Sequence, residues 1–301
     1  MNNLPFFSVV VPVFNRSNLL VHTLSSILNQ TFINFEIIVV NDGSTDNTLE
    51  ELQRNFGNEK RIKIITQVNA ERGVARNNGL KKSSGRYVVF FDSDDIMHAS
   101  HLDVLHAKIN EQQFPAFIAT KFDFIDEKGN HHSSDMQSLK EGYYDYRLFL
   151  NGNTLACNVC VLKNNPLLSL FEEDRNFAIK EDWMFLIQNM KSNKLFIIDR
   201  VTISMNDHEH RSMRSDNKMI IKRTLAAGEW ISKRIELTKE EEKQLQAHIS
   251  YFCGIHAYLD EEKKNSISFS LNAMRAGGLK VKYISLFVKS IVGRKVISLF
   301  R

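Results

Sequence analysis

Four short strand-like runs, three of them mainly apolar and separated by helix-like segments, restrict the fold of this chain more than any other feature of its sequence. The runs occupy residues 7–14, 35–40, 61–66 and 87–91, and the segments between them lie at 19–28, 46–56 and 72–82. The first and fourth runs are almost wholly apolar, and the second is interrupted only by Glu36, which is typical of strands buried on both faces. This β-α-β-α order predicts an α/β fold in which a mostly parallel sheet is sandwiched by helices.

The rest of the chain predicts a mixed region followed by a helical one. Strand-like segments lie at 116–125, 157–162 and 195–203, and a helix begins near Glu181. From about Asp216 onward the pattern is wholly helical. We therefore expect three divisions, which are residues 1–98, residues 99–215 and a helical C-terminal region at 216–301.

Composition excludes several classes of protein. With 43% hydrophobic and 25% charged residues, the 301-residue chain resembles globular proteins rather than disordered or fibrous ones. No apolar run reaches the ~18–20 residues of a membrane-spanning helix, and the N-terminus lacks the basic region of a signal peptide.

Three cysteines, Cys157, Cys160 and Cys253, are too few for a disulfide framework, so we expect a cytoplasmic protein. Cys157 and Cys160 also lack the second ligand pair of a structural zinc site.

Basic residues are concentrated at the C-terminal end of the chain. Residues 263–301 contain nine of the 39 Lys and Arg residues and none of the 35 Asp and Glu residues. Within this segment, one side of a predicted helix carries apolar residues and the other carries Lys282 and Lys289; the apolar ones are Tyr283, Ile284, Phe287, Val288 and Ile291. This pattern predicts an interfacial helix on an anionic membrane.

The basic segment suggests two other kinds of partner. A helix docked on the body of the protein, or in a homodimer, fits the same apolar pattern and stays an alternative. Nucleic acid is not expected as a partner, because no DNA- or RNA-binding motif accompanies the charge.

Acidic residues directly follow the fourth apolar run, at Asp92, Asp94 and Asp95. Polar residues also follow the first two runs, at Asn15 and at 41–44. In an open α/β sheet, ligands bind beyond the carboxyl ends of the strands. Carboxylate oxygens suit Mg²⁺ or Mn²⁺, which commonly share their coordination shell with substrate phosphates. The acids therefore predict a divalent metal; the alternative, a helix start with solvated acids, explains one or two of them but not all three.

Two common nucleotide-binding motifs are absent from the sequence. No G-x-G-x-x-G follows the first run, and no G-x-x-x-x-G-K-[ST] occurs anywhere, so neither a dinucleotide fold nor a P-loop is expected. Phosphates would have to be held by metal and arginine instead. Arg72 and Arg76 precede the fourth run and could supply that charge. A solvated helix face is the alternative for each of them.

Four motifs in these positions carry a resemblance to a known family. VVVPVFNR, VVNDGSTD, RGVARNNGL and GRYVVFFDSDD occur in this order within residues 7–100. Together they resemble the nucleotide-binding half of a family 2 glycosyltransferase with the GT-A fold. The resemblance implies that 1–98 binds a nucleoside-diphosphate sugar and that 99–215 binds the acceptor.

The resemblance also implies roles for individual residues. Asp42 would read the base, normally uracil, and Arg76 would support the nucleotide and its diphosphate. The residues expected to contact the donor are Pro12, Val13, Phe14, Asn15, Asp42, Arg72, Arg76, Asp92 and Ser93. Asp92 and Asp94 would form the D-x-D pair, with Asp94 nearest the metal and Asp95 beside it.

Two sites in the second half complete the implied machinery. Glu181 and Asp182 open an apolar helix, where the family places a general base; we assign that role to Asp182, with Glu181 in support. A plain helix start with two favourable acids is the alternative. His208 and His210, in a loop after a strand, are candidates for closing over the diphosphate or completing the metal shell, and the spacing does not choose between them. An exposed polar loop is the alternative there.

The function that follows is an inverting, Mn²⁺- or Mg²⁺-dependent transfer of a hexosyl or N-acetylhexosaminyl group, with a UDP-sugar as donor. The resemblance and the basic segment together imply a bacterial lipid-linked or surface-glycan acceptor, as in lipopolysaccharide or capsule synthesis, at the inner face of the cytoplasmic membrane. One alternative is a sugar-phosphate nucleotidyltransferase, although FNRSNLL lacks the glycines of its phosphate loop. Another is a non-catalytic, membrane-tethered GT-A scaffold, which the set of Asp92, Asp94 and Asp182 counts against.

Overall fold

The computed structural model describes residues 4–207 and 216–294. The described chain packs as two compact units. The sheet unit comprises residues 4–145, 154–175 and 189–207, and the helical unit comprises 146–153, 176–188 and 216–294. The functional division at residues 98 and 215 remains a prediction.

The sheet unit contains ten strands. They are β1 (Phe7–Val13), β2 (Phe35–Asn41), β3 (Ile62–Thr66), β4 (Tyr87–Phe90), β5 (Ile96–Met97), β6 (Phe117–Asp126), β7 (His131–Ser133), β8 (Gly142–Tyr144), β9 (Cys160–Leu162) and β10 (Leu195–Asp207). Their order is β3-β2-β1-β4-β9-β6-β10-β5, with β7 paired to β6 and β8 paired to β10. The long ladders β1–β2 and β6–β10 are parallel, and the antiparallel ladders are two or three residues long. The α/β class, with a sheet dominated by parallel pairing, is therefore confirmed.

Strand β1 lies at the centre of the parallel region, and each of its residues is buried. Its continuous run of apolar side chains fits this position, because helices cover parallel sheets on both faces. Pairing with β4 ends at Val10, whose carbonyl accepts a hydrogen bond from the Phe91 amide, but pairing with β2 continues to Val13. The backbone polar groups of Pro12 face the same neighbour as those of Val10, which is β4. Because β4 has already ended at that level, the N–H that proline lacks removes no hydrogen bond from the sheet. Regular pairing of β1 therefore ends before Pro12 on the β4 side and continues past Pro12 on the β2 side.

Four helices complete the sheet unit: α1 (Leu20–Leu28), α2 (Thr48–Phe56), α3 (Glu71–Lys82) and α4 (His101–Glu111). Helix α3 packs closely on β1 through Gly79, where a Cβ atom would lie 2.2 Å from Cγ1 of Val10. Glycine therefore permits the approach that brings the residues of α3 to the carboxyl edge of the sheet.

Helices dominate the second unit, as predicted for the C-terminal region. Helix α5 (Glu181–Ser192) begins there and is followed by α6 (Asn217–Arg234), α7 (Lys239–Leu259), α8 (Lys263–Gly277) and α9 (Val281–Val292). Thr238 begins α7 with a capping box, in which its side chain accepts from the Glu241 amide and the Glu241 carboxylate accepts from the Thr238 amide. No helix among the described residues is both long enough and apolar enough to cross a membrane.

Helix α9 packs on α7 and α8 with one face and leaves a second apolar face exposed. Tyr283, Leu286 and Ser290 are buried, and the Ser290 hydroxyl lies 2.6 Å from that of Ser266. The exposed apolar residues on the helix are Val281, Ile284, Val288, Ile291 and Val292. The single apolar side predicted for Tyr283 and Ile284 is therefore wrong, because Tyr283 is buried in a cluster with Ala247 and Ala273, whereas Ile284 is exposed.

Candidate active site

The loop that follows β1 is tied to the loop that follows β2. The Asn15 amide donates to the Ser44 hydroxyl at 3.0 Å, and the Asn15 side-chain oxygen accepts from the Thr45 amide at 2.8 Å. The next residue, Arg16, donates its amide to the Thr48 hydroxyl at 2.8 Å. Asn15 has a φ of 51°, a left-handed conformation that asparagine tolerates better than most residues. These bonds fix the backbone at the carboxyl edge of the sheet.

Three of the residues predicted to line the nucleotide pocket differ in their exposure. Pro12 and Val13 are buried members of β1, whereas Phe14 is 43% exposed. Phe14 is therefore the residue of this group that offers an accessible aromatic surface to a ligand.

Asp42 lies directly after β2 and is buried. Its carboxylate accepts four hydrogen bonds: from the Gln67 side chain (2.7 Å), the Asn69 side chain (3.2 Å), the Ala70 amide (2.8 Å) and the Glu71 amide (2.9 Å). The last two donors stand at the start of α3, where backbone amides lack partners within the helix. Asp42 thus anchors the N-terminus of α3 to the edge of the sheet, and its role in reading a base remains a prediction.

Arg76 is almost fully buried on α3, with 1% of its surface exposed. Its Nη2 donates to the Asp92 carboxylate at 2.8 Å, and its guanidinium lies 5.4 Å from the centre of the Phe171 ring. The alternative of a solvated helix face is therefore wrong for Arg76, because its side chain is buried and pairs with the Asp92 carboxylate. Arg72, four residues earlier, is half-buried.

The three acids that follow β4 have different surroundings. Asp92 pairs with Arg76, and Asp94 lies 3.8 Å from Nε of Arg16. Asp95 is 1% exposed and accepts a 3.2 Å hydrogen bond from the Asn206 amide. No helix starts at these acids, because β5 follows them immediately and α4 begins only at His101. The helix-start alternative for the acidic cluster is therefore wrong. Ser93, between the acids, is buried and its carbonyl accepts from the Thr23 hydroxyl.

The donor set at this edge fits a hard divalent cation that is delivered with a diphosphate. Asp92 and Asp94 supply carboxylate oxygens, the ligand type that Mg²⁺ and Mn²⁺ prefer. Within residues 4–207 and 216–294, no group of three or more His, Cys, Asp or Glu side chains is arranged to hold a metal by itself. Such an ion would therefore take further ligands from substrate phosphates and water, as Mg²⁺ commonly does. His208 and His210 lie outside the described residues.

The candidate base lies in the helical unit, at the first turn of α5. The Asp182 carboxylate accepts from the Asn153 side chain at 2.8 Å and from the Trp183 amide at 2.7 Å. Trp183 is buried, and its indole N–H donates to the Phe149 carbonyl at 2.8 Å, which fixes the start of the helix. Glu181 is buried at 2% exposure, whereas Asp182 is half-buried.

The residues before Asp182 have unusual surroundings. Ile179 adopts a φ of 69°, which is rare for a β-branched residue and is found most often at functional sites. Lys180 is buried, with its ammonium 4.1 Å from the centre of the Phe252 ring. Burial lowers the pKa of Lys180, and the charges of Asp182 and Glu181 oppose that shift. The buried Lys180 places a cationic side chain beside two carboxylates.

Two of these residues were missed by sequence reasoning. Arg16 is a basic residue three positions after the end of β1, but the sequence contains no signal that it lies beside Asp94. Asn153 stands 29 residues before Asp182, in a segment without a motif, and only the fold brings the two side chains together.

Comparison with known proteins decides the family. The model of the family described as glycosyl transferase family 2 matches residues 8–167, which is more than half of the chain. The chain belongs to this family. The match begins in β1 and extends beyond β9, so it includes the acids that follow β4.

Relatives of known sequence are also glycosyltransferases. The chain is 36% identical over 191 residues to an uncharacterized glycosyltransferase of Rickettsia bellii, an alignment that covers 62% of this chain and 27% of the relative. It is 35% identical over 176 residues to the glycosyltransferase GlyA of Streptococcus pneumoniae, which covers 58% and 23% respectively. The aligned part of the chain thus covers about a quarter of the length of these relatives.

Solved structures confirm the fold. Residues 1–349 of TarS from S. aureus superpose with a TM-score of 0.68 at 19% identity, covering 98% of this chain and 92% of that one. The same TarS fragment in complex with UDP-GlcNAc gives a TM-score of 0.66 at 20% identity, with 97% and 88% covered. The predicted GT-A fold is confirmed by this similarity.

Proposed function

We propose that this glycosyltransferase transfers a hexosyl or N-acetylhexosaminyl group from a UDP-sugar to an acceptor hydroxyl, with inversion at the anomeric carbon and dependence on Mn²⁺ or Mg²⁺. The observation that carries the proposal is the edge formed by Asp92, Asp94 and Arg76 at the end of β4, within a family 2 domain. The UDP-GlcNAc complex of the structurally similar TarS supports the choice of donor.

The residues of the sheet unit would bind the donor. Arg76 supplies a buried positive charge at the edge where the diphosphate is expected, and Asp92 orients its guanidinium. Asp94 and Asp92, with Asp95 beside them, would hold the metal, which neutralises charge on the leaving diphosphate when it is bound. Phe14 and Asn15 would line the nucleotide pocket, and Asp42, whose carboxylate also anchors the start of α3, would read the uracil.

Asp182 would act as the general base. The acceptor oxygen forms a bond to the anomeric carbon while the bond from that carbon to the diphosphate oxygen breaks, and the acceptor proton passes to Asp182. The Asn153 amide fixes one carboxylate oxygen, and the Trp183 backbone amide fixes the other. Glu181, buried beside it, supports the position of the helix start.

The acceptor that we propose is a saccharide of a lipid-linked or surface glycan, presented at the inner face of the cytoplasmic membrane. The exposed apolar residues of α9 support this, because Ile284, Val288 and Ile291 recur at helical spacing beside exposed lysines. In this proposal α9 packs on its own unit and contacts the membrane with its other face.

A ligand screen tests the function and separates it from nucleotidyl transfer. The thermal unfolding of the protein would be followed with UDP-, GDP- and dTDP-sugars, and with UTP plus sugar 1-phosphates, in the presence and absence of Mn²⁺. Because a ligand that binds only the folded state raises the unfolding temperature, we expect protection by UDP-sugars that depends on Mn²⁺. Pyrophosphate release from UTP and a sugar phosphate would favour the nucleotidyltransferase instead.

A further inference from the structure

Arg16 contributes a charge to the candidate active site that the proposed mechanism does not use. Its Nε lies 3.8 Å from the Asp94 carboxylate, and the two side chains are only 23% and 19% exposed. Its Nη1 donates to the Asn15 carbonyl at 3.3 Å. The backbone amide of Arg16 is itself held by Thr48. The guanidinium is therefore placed by an anchored loop, and not by a freely moving surface chain.

The two arginines at this edge hold their aspartates differently. Arg76 is buried and contacts Asp92 at 2.8 Å, so removing it from that carboxylate would leave a buried charge without its counter-ion. Arg16 is more exposed and lies a full ångström further from Asp94. The pair that can open at lower free-energy cost is therefore Arg16 with Asp94, since water can solvate both partners after they separate.

We infer that Arg16 is a counter-ion of Asp94 that competes with the divalent metal for this carboxylate, and that a nucleoside diphosphate relieves the competition by pairing with the guanidinium. The inference rests on the metal dependence in the proposed function. A cation approaching Asp94 meets the like charge of Arg16, which disfavours metal binding to the protein alone. A diphosphate supplies an alternative anion that suits the guanidinium. Metal and nucleotide would then bind cooperatively, each raising the affinity for the other.

Direct measurement of Mn²⁺ binding tests this inference. Free Mn²⁺ is quantified by electron paramagnetic resonance for the wild type, Arg16→Gln and the control Arg54→Gln, each with and without UDP. Arg54 is an exposed residue of α2 in the same unit, so its replacement makes the same change in net charge away from the site. In the absence of UDP, we expect Arg16→Gln to bind Mn²⁺ about fivefold more tightly than the wild type. The substitution removes a unit positive charge 3.8 Å from the Asp94 carboxylate, and the attraction between unit charges at that distance changes a binding constant by about this factor even in water.

Two further comparisons sharpen the test. UDP should increase Mn²⁺ affinity less in Arg16→Gln than in the wild type, and Arg54→Gln should match the wild type. In an Asp94→Asn background, Arg16→Gln should no longer change Mn²⁺ affinity, because the carboxylate for which the two cations compete is gone.

The inference is overturned if Arg16→Gln binds Mn²⁺ no more tightly than the wild type, or if Arg54→Gln shows the same gain. Failure of the proposed metal dependence has a different signature, since then no variant binds Mn²⁺ even with UDP. That result would reject the competition as well, while UDP-sugar turnover measured in chelator would still report on the transferase function.

Discussion

Asp182 and Glu181 begin the same helix, but their surroundings assign them different roles. Asp182 is half-buried, whereas Glu181 is almost fully enclosed. Asp182→Asn keeps the shape of the side chain and removes its ability to accept a proton. We therefore expect kcat for sugar transfer to fall by roughly 10²–10⁴-fold, the usual contribution of a positioned base. The KM for the donor should stay near the wild-type value in initial-rate measurements.

Glu181→Gln is the matched control for this substitution. A supporting residue should cost less activity than the base, so Glu181→Gln should retain much more of the wild-type kcat. A fully active Asp182→Asn together with an inactive Glu181→Gln would show that the base is Glu181.

Glu36 gives the sheet unit a pH-dependent contribution to stability. Burial alone would raise its pKa, but hydrogen bonds from Lys63, Ser84 and Ser8 outweigh burial and lower the pKa from 4.5 to about 2. The stabilisation is therefore fully present above about pH 4.5 and is lost as the pH falls toward 2. Glu36→Gln should lower the free energy of unfolding by about 2 kcal/mol at pH 7.

Urea unfolding of Glu36→Gln and the wild type at pH 7 and pH 3 checks this. The difference between them should shrink at pH 3, whereas the exposed Glu50→Gln should show no such dependence. A Glu36→Gln deficit that is equally large at both pH values would assign the effect to packing and not to charge.

At this scale, residues that follow strand ends could be predicted from the sequence. Asp92 and Asp94 lie at the carboxyl edge of the parallel strands because they follow the end of β4, and Arg76 reaches Asp92 from α3. Asn153 could not be predicted, because its contact with Asp182 depends on tertiary packing between segments without a motif.

Helix α3 depends on a single glycine for its close approach to the sheet. A Cβ at position 79 would meet Val10 at 2.2 Å. Gly79→Ala should therefore lower the free energy of unfolding by about 1–3 kcal/mol through overpacking, although alanine is about 1 kcal/mol the better helix former. Urea unfolding of Gly79→Ala, alone and combined with Val10→Ala, separates the two effects.

In the double variant the overpacking is relieved, so adding Gly79→Ala to Val10→Ala should be neutral or stabilising. If Gly79→Ala stabilises the otherwise wild-type protein, the distance between α3 and Val10 of β1 is larger than the 2.2 Å approach of a Cβ atom requires.

Element boundaries that depend on apolar periodicity could be predicted to within a residue or two, and those that depend on turns could not. Strands β2 and β4 match their apolar runs closely. The strand expected at 157–162 begins only at Cys160, because the preceding residues turn. The Val159 amide donates to the Cys157 carbonyl, and Ala156 adopts a φ of 52°. An apolar sequence such as CNVC carries no signal for that turn.

At the scale of the whole molecule, the concentration of positive charge and exposed apolar residues at the C-terminal end predicts membrane association. The variant Ile284→Ser, Val288→Ser, Ile291→Ser removes exposed apolar groups of α9 and leaves Tyr283 and Leu286 packed. We expect the wild type to pellet with phosphatidylglycerol vesicles, less so in high salt, and the triple variant to pellet much less.

The matched control replaces three exposed apolar residues elsewhere in the helical unit: Met219, Leu225 and Leu259, each by serine. This control should bind vesicles like the wild type. Equal binding by the α9 variant would place the membrane surface elsewhere, and no binding by any form would reject the peripheral location.

The sequence could predict the amphipathic character of α9, but not which residues pack inward. Tyr283 and Ile284 are adjacent and both apolar, but Tyr283 is buried in a cluster with Ala247 and Ala273, whereas Ile284 is exposed. Whole-chain packing of this kind depends on which neighbour offers a cavity, and periodicity does not contain that information.

In the proposed function, the acids after β4 bind a nucleoside diphosphate through a divalent metal, and the other donor contacts depend on that binding. Calorimetric titration of UDP into the wild type, with Mn²⁺ or with chelator, tests it directly, with Asp94→Asn and the exposed control Asp135→Asn alongside. We expect at least about tenfold tighter UDP binding with Mn²⁺ in the wild type and in Asp135→Asn, and loss of that gain in Asp94→Asn. UDP affinity that is the same in Mn²⁺ and in chelator, or a gain that survives Asp94→Asn, would contradict it.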